Sequence, residues 1–385
     1  MRIVYPYNDR LKLGRPHDIM IFKTCYYLAR AGHQVFLVAG NTGRLQELVD
    51  YYGLSFPQPG FHLVQLPMLR KRRGGRGISW HLPFNLFCLY WMLKLKKTSP
   101  FEVILLSEIK LGQFLLRFRN LFPAKFIYDI HGLYCRDWTE NGLKPDPREI
   151  NVYRKVDAIT TTTRELANVL ERRYQLKKPL QVIHLAGDRS AYGPPSGWQA
   201  NAPPRLFYLG QLYPLQGVDL VVDALRTIAD VEFHILGGSE PEIALLKAYA
   251  RRQGLAERII FHGFIPPAKV LQLAGQADIL VIPCRSEGRM PFVAHTKAYE
   301  YLGLGRPILA ADLPSIRELF SHGRNAFLVK AGDSESLANG IRTLLDNPAL
   351  SQRIAARAYE DAGNYSWPKR AERFTSFIEK VVNND

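Results

Sequence analysis

A carboxylate and an ammonium group stand three residues apart in the segment KAYEYLGLG, which begins at Lys297. A helix here would place Lys297 and Glu300 about one turn apart on the same side. A carboxylate at a binding site can accept two hydrogen bonds at once, for example from both hydroxyls of a ribose. A solvated glutamate on a helix surface is the alternative, so the pair predicts a ligand site only together with other features.

Glycines mark positions where the backbone can approach a ligand closely. The apolar segment RLFYLG ends at Gly210, and a turn then leads to a predicted helix that opens near Gln216 and Gly217. The free N–H groups at such a helix start suit a diphosphate. HILGGSEPE places Gly238 at another strand end, and an ordinary turn is the alternative at both places. No G-x-G-x-x-G follows a predicted strand, which argues against a dinucleotide oxidoreductase.

The sequence contains no pattern for a bound metal ion. Its four cysteines, Cys25, Cys88, Cys135 and Cys284, have neither C-x-x-C nor metal-ligand spacing. No Asp-x-Asp pair occurs that could hold a divalent cation against a diphosphate. We therefore expect neither a metal nor a cofactor. Cysteine usage favours a reducing compartment, and the first residues lack the apolar stretch of a signal peptide, so we expect a cytoplasmic location.

Apolar runs alternate with helix-length amphipathic stretches along the chain, which is typical of parallel sheets covered on both faces. The 385 residues suffice for two such domains. A Pro- and Gly-rich segment, 188–204, is predicted to be a linker. We therefore expect a first domain over 1–187, a second over 205–365, and a C-terminal helix over 366–385 that packs back on the first domain. The predicted strands are 2–5, 34–39, 62–66, 102–106, 125–130, 158–161 and 181–185, then 205–210, 231–237, 258–263, 278–283, 307–311 and 327–329.

The order of segments in the second half carries a resemblance to a known family. YLGQLYPLQGVDLVVDAL, HILGG, IIFHGFIP, ADILVIPC and KAYEYLGLGRPILAADLPSIRE follow one another as in the family 4 retaining glycosyltransferases with the GT-B fold. The first half agrees more loosely, through LARAGHQVFLVAG and YDIHG. The resemblance implies an α/β protein of two Rossmann-like domains, each with a doubly wound parallel sheet, that face a central cleft.

The resemblance also implies that the second domain binds a nucleotide sugar, UDP- or GDP-linked, without a metal ion, while the first binds the acceptor. Glu300 would bind the ribose, and backbone around Phe264 and Ile265 the nucleobase. Family members usually have an Arg and a Lys at the diphosphate where this chain has Gln211 and Gln216. Both glutamines can donate hydrogen bonds, but neither carries charge.

The missing charge has to come from another cation if the protein is an enzyme. The resemblance implies that the loop 288–296 binds the donor sugar and phosphate through its amides. Lys297 is the first candidate cation and Arg289 the second, with a solvated side chain as the alternative for each. The predicted donor-binding residues of this loop are Arg289, His295 and Thr296.

Three further residues complete the predicted site. Family members often carry a Glu eight positions before the ribose-binding one, where this chain has Phe292, and Glu287 is the nearest acidic substitute as a donor-sugar contact. Gly14 follows the first strand and would let the loop approach the acceptor or the diphosphate. His131, at the strand end YDIHG, is similar to a family histidine that faces the donor sugar, and a structural role is its alternative.

Positive charge is concentrated in the first half. Residues 1–187 hold 29 Lys and Arg against 14 Asp and Glu, whereas residues 188–385 hold 22 against 21. A basic cluster, 69–77, precedes the segment 78–97, whose apolar part is too short to span a bilayer. Aromatic residues beside cations suit anionic headgroups, so we expect peripheral attachment to the inner face of the cell membrane. A buried helix beside a solvated loop is the alternative, and no motif supports nucleic acid binding.

The sequence thus predicts a retaining, metal-independent glycosyltransferase that moves a sugar from a nucleotide sugar to a cell-surface glycan or a lipid-linked acceptor. Two alternatives stay open. One is a nucleotide-sugar epimerase of the same fold, and the other is a non-catalytic homologue that binds nucleotide sugars.

Overall fold

The computed structural model describes residues 1–43, 45–68, 81–133, 145–188, 198 and 200–383. The chain divides into two compact units. Unit 1 combines Met1–His184 with Trp367–Asp385, and unit 2 is Leu185–Ser366. Each unit is built on one parallel sheet with helices, so the predicted α/β class with two doubly wound sheets is confirmed.

Unit 1 contains a seven-stranded parallel sheet. Its strands are β1 Arg2–Pro6, β2 Gln34–Gly40, β3 Phe61–Leu66, β4 Val103–Leu106, β5 Lys125–Ile130, β6 Ala158–Thr161 and β7 Leu180–Val182. Its helices, numbered along the chain, are α1 Pro16–Arg30, α2 Leu45–Tyr51, α3 His81–Thr98, α4 Ile109–Leu115, α5 Pro147–Lys155, α6 Arg164–Arg173 and, last in sequence, α14 Trp367–Asn383. The strand order across the sheet is β3-β2-β1-β4-β5-β6-β7.

Unit 2 contains a six-stranded parallel sheet. Its strands are β8 Arg205–Leu209, β9 Glu232–Leu236, β10 Ile259–Gly263, β11 Ile279–Ile282, β12 Ile308–Ala311 and β13 Phe327–Val329. Its helices are α7 Val218–Leu225, α8 Glu240–Arg252, α9 Pro267–Ala274, α10 Thr296–Leu304, α11 Pro314–Arg317, α12 Ser334–Asp346 and α13 Pro348–Asp361. The strand order is β10-β9-β8-β11-β12-β13.

In both sheets the strand order reverses beside the first strand of the unit. The reversal lies between β1 and β4 in unit 1 and between β8 and β11 in unit 2. Ligands of open parallel sheets bind beyond the carboxyl ends of the strands at such a reversal. The loops after these four strands are therefore the places to look for a site.

Helix α14 packs in unit 1 although it is last in sequence. Phe374, Phe377 and Ile378 are buried in one core with Ile21, Cys25 and other side chains of α1. Helix α14 begins at Trp367 and contacts α1. Burial of its aromatic face against α1 is what holds it there, since apolar area removed from water is the main stabilising contribution.

The strand predicted over 181–185 is wrong at its end, because β7 stops at Val182. The amide of Ile183 still donates to Thr161 of β6, at 2.8 Å. The carbonyl oxygens of Ile183 and His184, however, accept hydrogen bonds from Arg370 of α14, each at 2.6 Å. The strand β7 therefore ends early, because the carbonyl groups that follow it bind Arg370, which lies near the other end of the sequence.

Candidate functional site

Lys297 lies in the first turn of α10, and its ammonium group reaches the loop after β8. Nζ donates to Oη of Tyr208 at 2.7 Å and to Oε1 of Gln216 at 2.7 Å. Burial lowers the pKa of Lys297 to about 8, while Cys284 and Glu300 act in the opposite direction. The structure thus places a cation beside Gln216, at the strand reversal of unit 2.

Gly210 lets backbone come close to this ammonium group, and Gly237 lies against Gly210. Gly210 has a φ of +127°, which favours glycine, and a Cβ there would contact Nζ of Lys297 at 3.5 Å. Gly237 follows β9 with a φ of +117°, and a Cβ there would lie 2.6 Å from the carbonyl oxygen of Gly210. Side chains are therefore excluded where the ends of β8 and β9 approach each other.

Two tyrosines hold α10 and the loop after β8 in place. Tyr208 Oη donates to the carbonyl oxygen of Gln211 at 2.6 Å while it accepts from Lys297. Tyr301, fully buried in α10, accepts from the amide of Leu209 at 3.0 Å and donates to the carbonyl of Val281 at 3.3 Å. These bonds join α10 to the ends of both strands at the reversal.

The predicted helix start near Gln216 and Gly217 is present. A single 3-10 turn, Pro214–Gln216, leads through Gly217, with a φ of +67°, into α7. A Cβ on Gly217 would lie 2.2 Å from the carbonyl oxygen of Pro283, so the turn packs directly on the loop after β11. The start of α7 is thereby fixed against the loop that leads to α10.

His295 and Cys284 form a buried support behind Lys297. His295 Nε2 lies 3.2 Å from the carbonyl oxygen of Met290, and Nδ1 lies 3.7 Å from Sγ of Cys284. Burial, followed by the charge of Lys297, lowers the pKa of His295 to about 4, so the ring is neutral at pH 7. Burial raises the pKa of the Cys284 thiol to about 11, so it is not a thiolate nucleophile.

Four other residues predicted to bind the donor lie in α10 or in the turn before it, and they differ in exposure. Glu300 is half-buried in α10, one turn after Lys297, and Thr296 is the first residue of that helix. Arg289 and Glu287 are exposed in the turn before α10. The charge of Arg289 contributes to the lowered pKa of His295.

Three predicted positions follow β9 and β10. Gly238 has a φ of +85°, and a Cβ there would lie 2.7 Å from the side chain of Leu212. Phe264 is 62% exposed directly after β10, and Ile265 beside it is partly buried. An aromatic ring so exposed at the carboxyl end of a strand is available for stacking.

In unit 1, His131 lies directly after β5 and belongs to a chain of polar side chains. Its Nε2 is 2.7 Å from Oδ2 of Asp129, and its Nδ1 is 3.3 Å from Nδ1 of His17 on α1. His17 Nε2 is in turn 3.2 Å from Oε1 of Glu108, which follows β4. The group lies at the strand reversal of unit 1, and Gly14, with a φ of +74°, lies in the loop before α1.

The sequence analysis did not predict four residues that contact the candidate site. Tyr208 contacts Lys297 in unit 2, and His17, Glu108 and Arg370 lie around His131 and Asp129 in unit 1. Glu108 could have been found, because it comes two residues after the apolar run EVILL, where the carboxyl end of a strand is expected. In the sequence, Tyr208 looks like any other apolar residue of a buried strand. It contacts Lys297, which is 89 residues away in the chain, and no local pattern predicts that contact.

Among the described residues, no group of three or more His, Cys, Asp or Glu side chains could hold a metal ion. Within the same part of the chain, every helix is too short or too polar to cross a lipid bilayer. The predicted basic cluster 69–77 lies outside the described residues, as does most of the predicted linker 188–204.

Two units, each built on a parallel sheet whose strand order reverses beside its first strand, agree with the GT-B fold. Family models cover most of the chain. Residues 19–190 match the one described as Glycosyltransferase Family 4, and residues 203–347 match Glycosyl transferases group 1. The chain belongs to family 4 of the GT-B glycosyltransferases, which confirms the resemblance drawn from its motifs.

Curated relatives and solved structures agree with this family. The chain is 27% identical over 262 residues to D-inositol 3-phosphate glycosyltransferase of Streptomyces avermitilis, a match that covers 60% of this chain and 54% of the relative. It is 28% identical over 175 residues to phosphatidyl-myo-inositol mannosyltransferase of Mycobacterium leprae, covering 44% of this chain and 45% of the relative. The chain thus spans about half the length of these relatives. Sucrose-phosphate synthase of Thermosynechococcus elongatus has the same fold, with a TM-score of 0.78 at 17% identity over 100% of both chains.

Proposed function

We propose that this protein is a retaining, metal-independent glycosyltransferase. It transfers a sugar from a UDP- or GDP-linked donor to a cell-surface glycan or a lipid-linked acceptor. Membership of family 4 supports the reaction class. The name of one relative, phosphatidyl-myo-inositol mannosyltransferase, supports a lipid-linked acceptor.

The observation that carries the proposal is the position of Lys297. A leaving nucleoside diphosphate gains negative charge as the sugar bond breaks, so a fixed positive charge beside it lowers the barrier. Gln211 and Gln216 are neutral, yet the ammonium of Lys297 donates to Oε1 of Gln216. The charge absent from position 216 is therefore supplied from α10 to the same place.

The other residues of unit 2 would bind the remainder of the donor. Glu300 would accept the ribose hydroxyls, and Phe264 and Ile265 would contact the nucleobase. Backbone at Gly210 and Gly238 would approach the diphosphate, because neither position has a side chain in the way. Thr296 at the start of α10 and Arg289 before it would contact the sugar and phosphate.

Retention of configuration at the anomeric carbon determines which bonds form and break there. The acceptor hydroxyl forms a new bond to the anomeric carbon on the face from which the diphosphate departs, and the bond from that carbon to the diphosphate oxygen breaks. The proton of the acceptor hydroxyl passes to the departing phosphate oxygen. The protein then needs no separate base, and its task is to orient both substrates and stabilise the diphosphate. His131 of unit 1 would orient the donor sugar.

Helix α3 supports attachment to a membrane. One side of it is buried through Phe84, Cys88 and Met92. The opposite side leaves four apolar side chains exposed, followed along the helix by exposed Lys94 and Lys97. An apolar stripe next to cations is suited to the boundary between lipid tails and anionic headgroups. We call this set the α3 stripe: Leu82, Leu86, Phe87 and Tyr90.

One observation favours the non-catalytic alternative. Two neutral glutamines replace the usual cations, and a protein that only binds nucleotide sugars could dispense with them. Purified protein should be incubated with UDP- and GDP-sugars, with and without a bacterial lipid extract, and nucleotide release and glycolipid formation followed by mass spectrometry. Release that depends on the extract supports transfer, whereas binding without turnover under any condition supports the alternative.

A further inference from the structure

A buried arginine of α14 connects three parts of unit 1. Arg370 is 2% exposed, and its Nη1 donates to the carbonyl oxygens of Ile183 and His184 at 2.6 Å each. Its Nε donates to Oγ1 of Thr24 on α1 at 3.4 Å. Burial of a guanidinium group is unfavourable unless it is paired and hydrogen-bonded. Any movement of Arg370 would break these hydrogen bonds, so they hold its guanidinium group in one position.

The remaining nitrogen of that guanidinium faces a buried carboxylate. Nη2 of Arg370 lies 3.5 Å from Oδ2 of Asp129, which is 1% exposed. Burial alone would raise the pKa of Asp129, but His131, Arg370 and a hydrogen bond from Thr160 together hold it at about 2. Asp129 is therefore a carboxylate throughout the neutral pH range, with Oδ1 bound to Thr160 at 2.7 Å.

An ionised carboxylate only accepts hydrogen bonds, which decides the tautomer of the histidine beside it. Nε2 of His131 is 2.7 Å from Oδ2 of Asp129, so Nε2 carries a hydrogen. When His131 is neutral, its lone pair is then on Nδ1, the nitrogen that lies 3.3 Å from His17. The face that His131 presents to a ligand thus depends on where Asp129 is held.

We propose that Arg370 is a positioning residue: it holds the Asp129 carboxylate so that neutral His131 keeps its hydrogen on Nε2 and presents the lone pair of Nδ1. The catalytic importance of this arrangement rests on the proposed function, in which His131 orients the donor sugar. The tautomer itself does not depend on that function. Lysine cannot replace Arg370 fully, because the planar fork binds two carbonyls and faces the carboxylate at once.

Several groups besides Asp129 and Arg370 act on the histidine. His17 lies on α1, and Glu108 approaches the far side of His17 from the loop after β4. The ring of Tyr7 lies 5.7 Å from that of His17. Tyr5 of β1 and Cys25 of α1 are buried near Asp129, and burial raises the pKa of each well above its usual range, so both are neutral near pH 7.

The wild-type protein provides the first test. Nitrogen-15 NMR of histidine-labelled protein distinguishes the two neutral tautomers and the imidazolium by the shifts of Nδ1 and Nε2. The His131 signals are assigned by their loss in His131→Asn. The proposal requires hydrogen on Nε2 at high pH. Hydrogen on Nδ1 in the folded wild-type protein would overturn it without any other variant.

Arg370→Met provides the second test. Without the guanidinium, Oδ2 of Asp129 loses a group that holds it beside Nε2 of His131. The neutral form of His131 should therefore become a mixture of the two tautomers, read from the shifts of Nδ1 and Nε2. The unchanged Nε2 tautomer in a folded variant contradicts the proposal. If Arg370→Met does not fold, Arg370→Lys keeps the charge without the fork and should still give the mixture of tautomers, whereas the pure Nε2 tautomer would contradict the proposal.

Lys369→Met is the matched control, since it removes one positive charge from an exposed position of the same helix. It should leave the His131 signals unchanged. In the transfer assay, Arg370→Met should lower turnover about tenfold or more with little change in donor KM. If wild type transfers no sugar, the proposed function fails while the NMR result still decides the role of Arg370.

Discussion

The ammonium nitrogen of Lys297 lies 2.7 Å from the side-chain oxygen of Gln216. Lys297 lies in α10 and Gln216 in the 3-10 turn before α7, and both lie within hydrogen-bond distance of Oη of Tyr208 in β8. A charged lysine beside an amide oxygen also fixes how that amide is turned, because the ammonium group only donates. The –NH₂ of Gln216 therefore faces away from Lys297.

Substitution of Glu300 tests the nucleotide site. Glu300→Gln keeps the shape of the side chain but removes its charge, and a charged hydrogen bond typically contributes about 1.5–3 kcal/mol. Nucleotide affinity measured by calorimetry should therefore fall about tenfold to a hundredfold. Glu257→Gln, an exposed change elsewhere in unit 2, is the control and should bind as wild type. Equal affinity of Glu300→Gln and the control, with equal thermal stability, would remove Glu300 from the site.

The lowered pKa of Lys297 predicts a pH dependence of donor binding. In the free protein the ammonium is present below about pH 8 and is lost as pH rises through that value. A diphosphate favours the charged form, so donor binding above pH 8 must take up a proton and should weaken with rising pH. Calorimetry at pH 8.5 in two buffers of different ionisation enthalpy measures this uptake. Lys297→Arg, whose charge does not titrate, should show none, and the same absence in wild type would contradict the assignment.

The α3 stripe predicts binding to anionic vesicles. Leu86→Ser with Tyr90→Ser removes two of its most exposed apolar side chains and should reduce vesicle partitioning about tenfold or more in a co-sedimentation assay. Leu245→Ser is the matched control, since Leu245 is 74% exposed on α8 of unit 2. Raised salt should also weaken binding. If the wild-type protein does not bind anionic vesicles at low salt, the proposed membrane attachment is wrong.

Buried parallel strands are the part of this structure that the sequence predicts best. The strands β4, β11 and β12 are continuous apolar runs that are buried throughout. The strands β5, β6 and β13 begin and end where the pattern places them. Strand ends are less certain when a distant residue intervenes, as Arg370 does at Ile183. Lys297 and Glu300 could be paired from helical spacing alone. The contact from Lys297 to Tyr208 could not, because it depends on how α10 packs against β8.

The central claim is that Lys297 supplies the positive charge that Gln211 and Gln216 lack. Its most direct test is donor turnover by Lys297→Met, Arg289→Ala and the double variant, measured at saturating donor with the acceptor fraction that supports wild-type transfer. Loss of one group that stabilises a developing charge typically costs about a hundredfold to a thousandfold in turnover. We predict such a loss for Lys297→Met, a smaller effect on donor binding, and partial recovery when Gln216→Lys is added to Lys297→Met. Wild-type turnover in the double variant would contradict the account.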